Sequence, residues 1–507
     1  MATSHGAATL AGQKFGRLMK FTKADAAIHS AVQLETLADA MALPFEPNLK
    51  DEPDAEENPF TPAGYTYLGQ FIDHDLTFDT HSNFNKPNSF DEAIDMRTPA
   101  FDLDSVYGRG PDDQPYMYEK DGAHLALDAT EPMRGKDVLR AGLNGRAVIG
   151  DPRNDENAIV VQLHVAFIRF HNHLVDQIHQ DMPDLDWSEV FKAARRWTTH
   201  HYQRIIIDDF LPRVVDTGLS TIQPIYRGLK SGTMPTFTLY DIAQGSYMPL
   251  EFAVAAYRFG HSMVRPDYRL NGSVHKRIFE PDGTGLTGFK PLDPSFVIDW
   301  SLFFSAEIGP GTKGELGAWN VADPTRLQFA YRIDPMLVNP LFHLPQAVVK
   351  TMPSLAERNL KRGLGFGLPS GETVASRIGA AVLTANELKV RLGNDEEEPV
   401  VWTRIVDIPG LDGLAGNTPL WFYILAEAEK GVVDKDEGGK GEGSRLGETG
   451  GAIVVETFAG LMFADPTSVV NQCLPFRSIY NQATFSMAEL FAAIGSPLRK
   501  STVKSKA

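Results

Sequence analysis

Cysteine is almost missing: Cys473 is the only one in 507 residues, so no intrachain disulfide is possible and a reducing compartment suits the chain. Long apolar runs are missing too. The sequence nowhere reaches the roughly 18 consecutive apolar residues of a membrane-spanning helix. Positive charge is in deficit, with 48 Lys and Arg against 65 Asp and Glu. The resulting −17 disfavours nucleic acid or an anionic membrane as the main partner. The opening residues Met-Ala-Thr-Ser-His-Gly show neither the basic nor the apolar region of a secretory signal. These absences predict a soluble, cytoplasmic protein.

What is present is a 43% hydrophobic composition, enough for a large core. Length alone suggests about three domains, but the pattern along the chain is more uniform. Apolar residues recur at three and four, as at Phe252, Ala255, Ala256 and Phe259. This spacing predicts helices over Ala158–Ile178 and near 187–209, 249–264, 370–392, 417–430, 451–463 and 485–494, with another at Asp25–Met41. Asp151 before Pro152 reads as the N-cap and first position of the Ala158 helix. Alternating patterns are few and short, Thr236–Tyr240 among them. The acid run Asp395–Glu398 and the Gly-rich Val433–Gly450 read as surface loops, the second mobile. The predicted fold class is mainly α: one large helical domain over 61–500 with few short strands. An N-terminal extension, residues 1–60, wraps the core, and 501–507 form a tail.

Several clusters carry chemistry. In Gly69–Asp79 a histidine, His74, sits between Asp73 and Asp75 among apolar neighbours. On a helix these three side chains project about 100° apart and address three different partners, while Gln70 shares the face of His74. Thr98, Ala100, Asp102 and Asp104 set oxygen donors at alternate positions, which in an extended loop surround one cation. Asp75 is the natural additional carboxylate; the other reading is an Asp-rich surface turn. Arg153, Glu156 and Asn157 fall on one face if helical, either as a solvated pair or as a site for a polar reactant. His261, beside Gly260, is either a core histidine or a ligand approached closely by a flat group such as haem. A ligand there needs an acceptor on its far nitrogen, and the carbonyl of Asn359 is the candidate. His164, His171 and His173 do not share a face and are assigned to packing; His200 and His201 receive no role.

Taken in order, Gln70…Asp73-His74-Asp75, Thr98…Asp102…Asp104-Ser-Val-Tyr-Gly, Gly150-Asp-Pro-Arg153-Asn-Asp-Glu156, Tyr257-Arg-Phe-Gly-His261 and Asn359 resemble the animal-type haem peroxidases of the peroxidase–cyclooxygenase superfamily. The likeness runs from about residue 60 to 370, in a bacterial style without the disulfides of secreted members. It implies an oxidoreductase that reduces hydrogen peroxide and, through a ferryl intermediate, oxidises phenols, bromide, iodide or thiocyanate, in keeping with a response to oxidative stress. It implies haem b and calcium as cofactors, with no nucleic-acid partner. By the resemblance, His74 is the distal base, Arg153 its partner and Gln70 a distal-pocket residue; His261 is the proximal iron ligand, held by Asn359, with Arg258 near the cofactor. Asp75, Thr98, Ala100, Asp102 and Asp104 would bind calcium, and Asp73 and Glu156 match carboxylates that can be esterified to haem. Asn157 replaces a methionine that forms a sulfonium link in some members, which predicts weaker oxidising power. Leu364-Gly365-Phe366 replaces an Arg-Asp-His run. Fatty-acid dioxygenases of the family carry a tyrosine three residues before the proximal histidine, where this chain has Arg258. The alternatives are such a dioxygenase, or a haem- or calcium-binding protein without turnover.

Overall fold

The computed structural model describes residues 13–22, 25–44, 54–78, 94–316, 325–394, 398–430, 443–499 and 505–506. Helix accounts for 43% and strand for 12%, so the chain is mainly α. Among the described residues the strands pair in twos; Glu57–Pro62 against Phe329–Tyr331 is one such ladder.

The helices that position the site are α1 (Ala31–Ala40), α2 (Gly64–Leu76), α3 (Ala158–Asp181), α4 (Trp187–Ile205), α5 (Leu355–Gly365), α6 (Leu420–Lys430) and α7 (Glu448–Ala464). Aromatic packing fixes α2 on the α3–α4 pair. Phe71 stacks on Phe167 with ring centroids 4.7 Å apart, and Tyr202 meets Phe167 edge-on at 5.6 Å. With Leu68, Phe71 and Ile72 fully buried, the opposite face of α2, carrying Gln70, Asp73 and His74, is left to the cavity.

Several elements differ from the sequence pattern for identifiable reasons. Asp151 does cap a helix with Pro152 at its first position, but this is a short 3₁₀ turn, Pro152–Asp155. The long α3 is capped instead by Asn157, whose side-chain oxygen accepts from Ile159 and Val160 N–H. The 249–264 segment winds as a π-helix (Glu251–Ala255) followed by a 3₁₀ helix (Ala256–His261), with Ala255 at φ −127°, ψ −70° breaking the α pattern. The 370–392 helix is short, Gly371–Ile378, because Gly379 ends it in the left-handed region at φ 76°. Lys389–Asn394 then pairs antiparallel with Glu398–Arg404. Thr236–Tyr240 makes no strand: the backbone N–H groups of Thr238, Leu239 and Tyr240 all donate to the buried Glu456 carboxylate. The 395–397 run and 431–442 lie outside the described residues, and the predicted Gly-rich loop is over by Glu448, where α7 begins.

Candidate active site

A cavity of about 360 Å³ opens between two walls. One wall is α2 with the turn at 152–157, contributing Gln70, Asp73, His74, Arg153, Glu156 and Asn157; the other carries His261 and Asn359. These residues, separated by up to 289 positions (Gln70 to Asn359), meet in one space.

On the first wall, α2 sends its three consecutive polar residues in three directions, as the helical projection predicts. Asp73 accepts a bond from Thr77 Oγ1 at 3.2 Å. His74 Nδ1 lies 2.8 Å from Asn154 Oδ1. Asp75, fully buried, accepts from Leu103 N–H at 3.2 Å and Ser105 Oγ at 3.1 Å. Burial, with the like charge of Arg153, lowers His74 to about 4, so its ring is neutral.

Arg153, Glu156 and Asn157 do not share a helix face, because the 3₁₀ turn ends at Asp155 and Asn157 is extended. They line the cavity together nonetheless. Arg153 donates to the His74 carbonyl at 3.0 Å and to Asp151 at 2.7 Å, and its guanidinium lies 4.5 Å over the Phe78 ring. Burial pushes Asp151 up, but Arg153 and then Arg97 outweigh it and hold the group below the carboxylate range. Asn157 donates to Gln70 Oε1 at 3.1 Å, and Gln70 in turn to Glu156 at 3.4 Å. Burial raises Glu156 to about 7.

Behind this wall, carboxylate oxygens of Asp75, Asp102 and Asp104 come within 4.8 Å of one another. They do not converge by extended alternation. Leu103 turns left-handed at φ 58° between two of them, and Asp104 starts a helical turn, its N–H donating to Asp102 at 3.1 Å. A left-handed leucine costs on the order of 1–2 kcal/mol, so the turn is held by its surroundings, the Asp75 bond among them. Thr98 and Ala100 lie in the adjoining turn, Ala100 N–H meeting the Thr98 carbonyl at 2.8 Å. Burial and the neighbouring acids raise Asp75 well above its ordinary range and Asp102 to about 7. One buried and two partly buried carboxylates with such mutual repulsion fit a divalent cation bound by oxygen ligands. Arg97 joins this cluster to the cavity wall, reaching Asp104 at 3.3 Å and Asp151 at 2.6 Å.

On the second wall, His261 is held low, at about 3, by burial and then by Arg258. Its Nδ1 stands 2.8 Å from Asn359, facing Nδ2 and not the carbonyl oxygen that the sequence favours. In that orientation Nε2 carries the ring proton. An amide turned over would present Oδ1 in the same place and free Nε2 as a ligand atom. A Cβ added at Gly260 would meet nothing within 4 Å, so the approach beside His261 is open. Arg258 lies along this wall, its Nε donating to the Ala253 carbonyl at 3.0 Å. Where the Leu364-Gly365-Phe366 departure falls, Phe366 is 4% exposed and lines the cavity, and Arg17 from the N-terminal segment donates to its carbonyl.

Two participants are not visible in the sequence. Asn154 sits on the His74 imidazole, and His164, assigned to packing, meets Asn154 Nδ2 at 3.0 Å through Nδ1. The spacing of His164 from Asn154 carries no such signal, because the contact is made across the turn between two elements. His171 is a satisfied core residue, bonded to Tyr107 OH at 3.0 Å and the Ala123 carbonyl at 2.9 Å. His200 and His201 likewise bond backbone groups.

Residues 80–290 match the family model of the animal haem peroxidases. The interval contains Arg153, Glu156 and His261 but neither His74 nor Asn359. Eosinophil peroxidase of Mus musculus is 30% identical over 228 residues, covering 43% of this chain and 27% of that protein. Peroxinectin A of Dictyostelium discoideum is 26% identical over 232 residues, covering 46% and 37%. The chain spans well under half the length of these curated relatives. Among solved structures, peroxidase A from Dictyostelium discoideum superimposes with a TM-score of 0.60 at 16% identity, covering 96% of this chain and 94% of the other. Fatty acid alpha-dioxygenase of Oryza sativa gives 0.58 at 16% identity, covering 96% and 80%. At that identity the two structures attest the fold alone.

Proposed function

Since this chain belongs to the peroxidase–cyclooxygenase superfamily, we propose that it is a haem peroxidase reducing hydrogen peroxide at the expense of small donors. The observation that carries the reading is a neutral imidazole and a guanidinium, His74 and Arg153, lining the same cavity as a second imidazole backed by an amide, His261 and Asn359. Mere haem binding requires only the second pair.

The residues fit a haem. A cavity of about 360 Å³ is of ligand size, and open space at Gly260 admits a flat group beside His261. Arg258, Arg358 and Arg362 bring positive charge suited to carboxylate substituents. Burial, and then the charge of Arg258, lowers Arg358, so an anion there would be welcome. We assign the iron to His261 Nε2 and the hold on its Nδ1 to Asn359. Asp73 and Glu156 are the carboxylates available for ester links. Calcium is assigned to Asp75, Asp102 and Asp104 with Thr98 and Ala100.

Bound haem supplies the electrons that peroxide takes up and recovers them from donors. The protein's part is proton handling and charge stabilisation. His74 Nε2 accepts a proton from the peroxide oxygen near the cofactor and gives it to the departing oxygen. Arg153, anchored by Asp151 and the His74 carbonyl, steadies the negative charge that develops. Gln70 orders the polar end of the pocket through Asn157 and Glu156. With asparagine at 157, phenols, bromide, iodide and thiocyanate are the expected donors rather than chloride.

An absorption spectrum of the haem-supplemented protein tests this: a Soret band that shifts on adding peroxide is expected, and no Soret band at all would refute the reading. A second reading, a fatty-acid dioxygenase, draws on the apolar residues Leu344, Val348, Leu355 and Phe366 that extend the cavity. Oxygen uptake with linoleate and no peroxide would favour it.

A further inference from the structure

His74 does not end its polar contacts at Asn154. The amide of Asn154, itself fully buried, stands between two imidazoles: Oδ1 lies 2.8 Å from His74 Nδ1 and Nδ2 lies 3.0 Å from His164 Nδ1. The three residues come from three places, α2, the 3₁₀ turn and the second turn of α3. His164 is 0% exposed and its Nε2 is buried without a protein partner.

An amide oxygen only accepts and an amide nitrogen only donates. Facing Oδ1, His74 must keep its own proton on Nδ1, which leaves Nε2 bare for the cavity. Facing Nδ2, His164 must present a bare Nδ1. In this orientation the amide satisfies both imidazoles at once; reversing it requires both rings to change tautomer, which would put the His74 proton on Nε2 and abolish its ability to accept another. We propose that Asn154 is a positioning residue for the distal base, fixing the tautomer and ring orientation of His74, with His164 as the second partner of its amide. The inference rests on the haem peroxidase reading and concerns residues beyond the cavity wall itself.

The test compares ligands that must lose a proton on binding with one that carries none. Haem-loaded native protein, Asn154→Leu and Asn154→Asp are mixed with hydrogen peroxide and with hydrogen cyanide, and, after reduction, with carbon monoxide. Asn154→Leu removes both contacts at similar volume. Uptake of peroxide and of hydrogen cyanide is expected to slow by about 10–100-fold, the usual cost of an orienting partner, while carbon monoxide binding stays within about twofold of native. Asn154→Asp still accepts from Nδ1–H and is expected to restore both rates to within about threefold. Independently of turnover, ¹⁵N-histidine spectra of the cofactor-free protein report the tautomer directly. His74 is expected as the Nδ1–H form in native protein and in Asn154→Asp, and as a mixture in Asn154→Leu.

Native peroxide and cyanide rates in a folded Asn154→Leu that binds carbon monoxide would overturn the proposal. So would Asn154→Asp being as slow as Asn154→Leu, since that makes the amide nitrogen rather than the acceptor essential. Absence of any carbon monoxide band in native protein would instead refute haem binding, which separates failure of the functional reading from failure of this inference.

Discussion

The carboxylate cluster behind α2 contributes to stability with a pH dependence opposite in sign to that of a carboxylate held in an ion pair. Asp102 is raised from 3.8 to about 7, by burial first and then by Asp104. A carboxyl whose folded pKa lies above its unfolded value binds its proton more tightly in the fold. Its contribution therefore favours folding at low pH and is lost as pH rises from about 4 through about 7. The span is about three pH units, or about 4 kcal/mol at ~1.36 kcal/mol per unit, as an upper figure for one group. A chain of 507 residues has an unfolding entropy of about 1 kcal/mol/K, so this corresponds to about 4 °C in Tm. A divalent cation bound by the ionised cluster would cancel the loss. Thermal unfolding at pH 5 and pH 8, each with EDTA and with millimolar calcium, measures this directly. Calcium should raise Tm by several degrees more at pH 8 than at pH 5. Asp102→Asn, which removes the charge, should be no less stable than native protein in EDTA at pH 8 and should lose most of the calcium response. Other buried groups also titrate here, Glu156 in the same sense and the buried histidines, His74 and His164 among them, in the opposite one, which is why the calcium difference and not the raw pH curve decides. An equal calcium shift at both pH values, preserved in Asp102→Asn, would refute the reasoning.

Three further outcomes are expected. His74→Ala should slow the reaction with peroxide by about 10²–10⁴-fold while the Soret band of bound haem persists, as stopped-flow spectra will show. Arg97→Met should cost about 3–5 kcal/mol in denaturant unfolding, because Asp151 and Asp104 lose the guanidinium they share. Gly150→Ala should destabilise by about 1–3 kcal/mol and weaken calcium binding by calorimetry, since its Cβ would stand 2.5 Å from the Asp104 carbonyl and 2.6 Å from that of Ser105.

Local chemistry was readable from the sequence where it depends on neighbours along the chain. The amphipathic pattern of α3 and the helical divergence of Asp73, His74 and Asp75 follow from 1.5 Å rise and 100° turn per residue, and the cap–proline step at Asp151-Pro152 is equally local, although it opens a 3₁₀ turn and not α3. So did the pairing of Asn359 with His261, although only as a requirement that a ligand's far nitrogen be held. The order of the polar motifs carried the resemblance to the animal-type haem peroxidases, whose family model matches residues 80–290. Tertiary structure decided what depends on partners distant in the chain. Thr236–Tyr240 alternates like a strand, yet its amides are spent on Glu456, some 220 residues away, and a ladder partner is never offered. His164 reads as one more apolar-face histidine until the turn at 152–155 brings Asn154 against it. The acids at 102 and 104 meet Asp75 through a left-handed leucine that no propensity favours, because the energy holding it comes from the contacts around it. Periodicity is a property of the chain, whereas the satisfaction of buried polar groups is a property of the packed fold, and the active-site network belongs to the second.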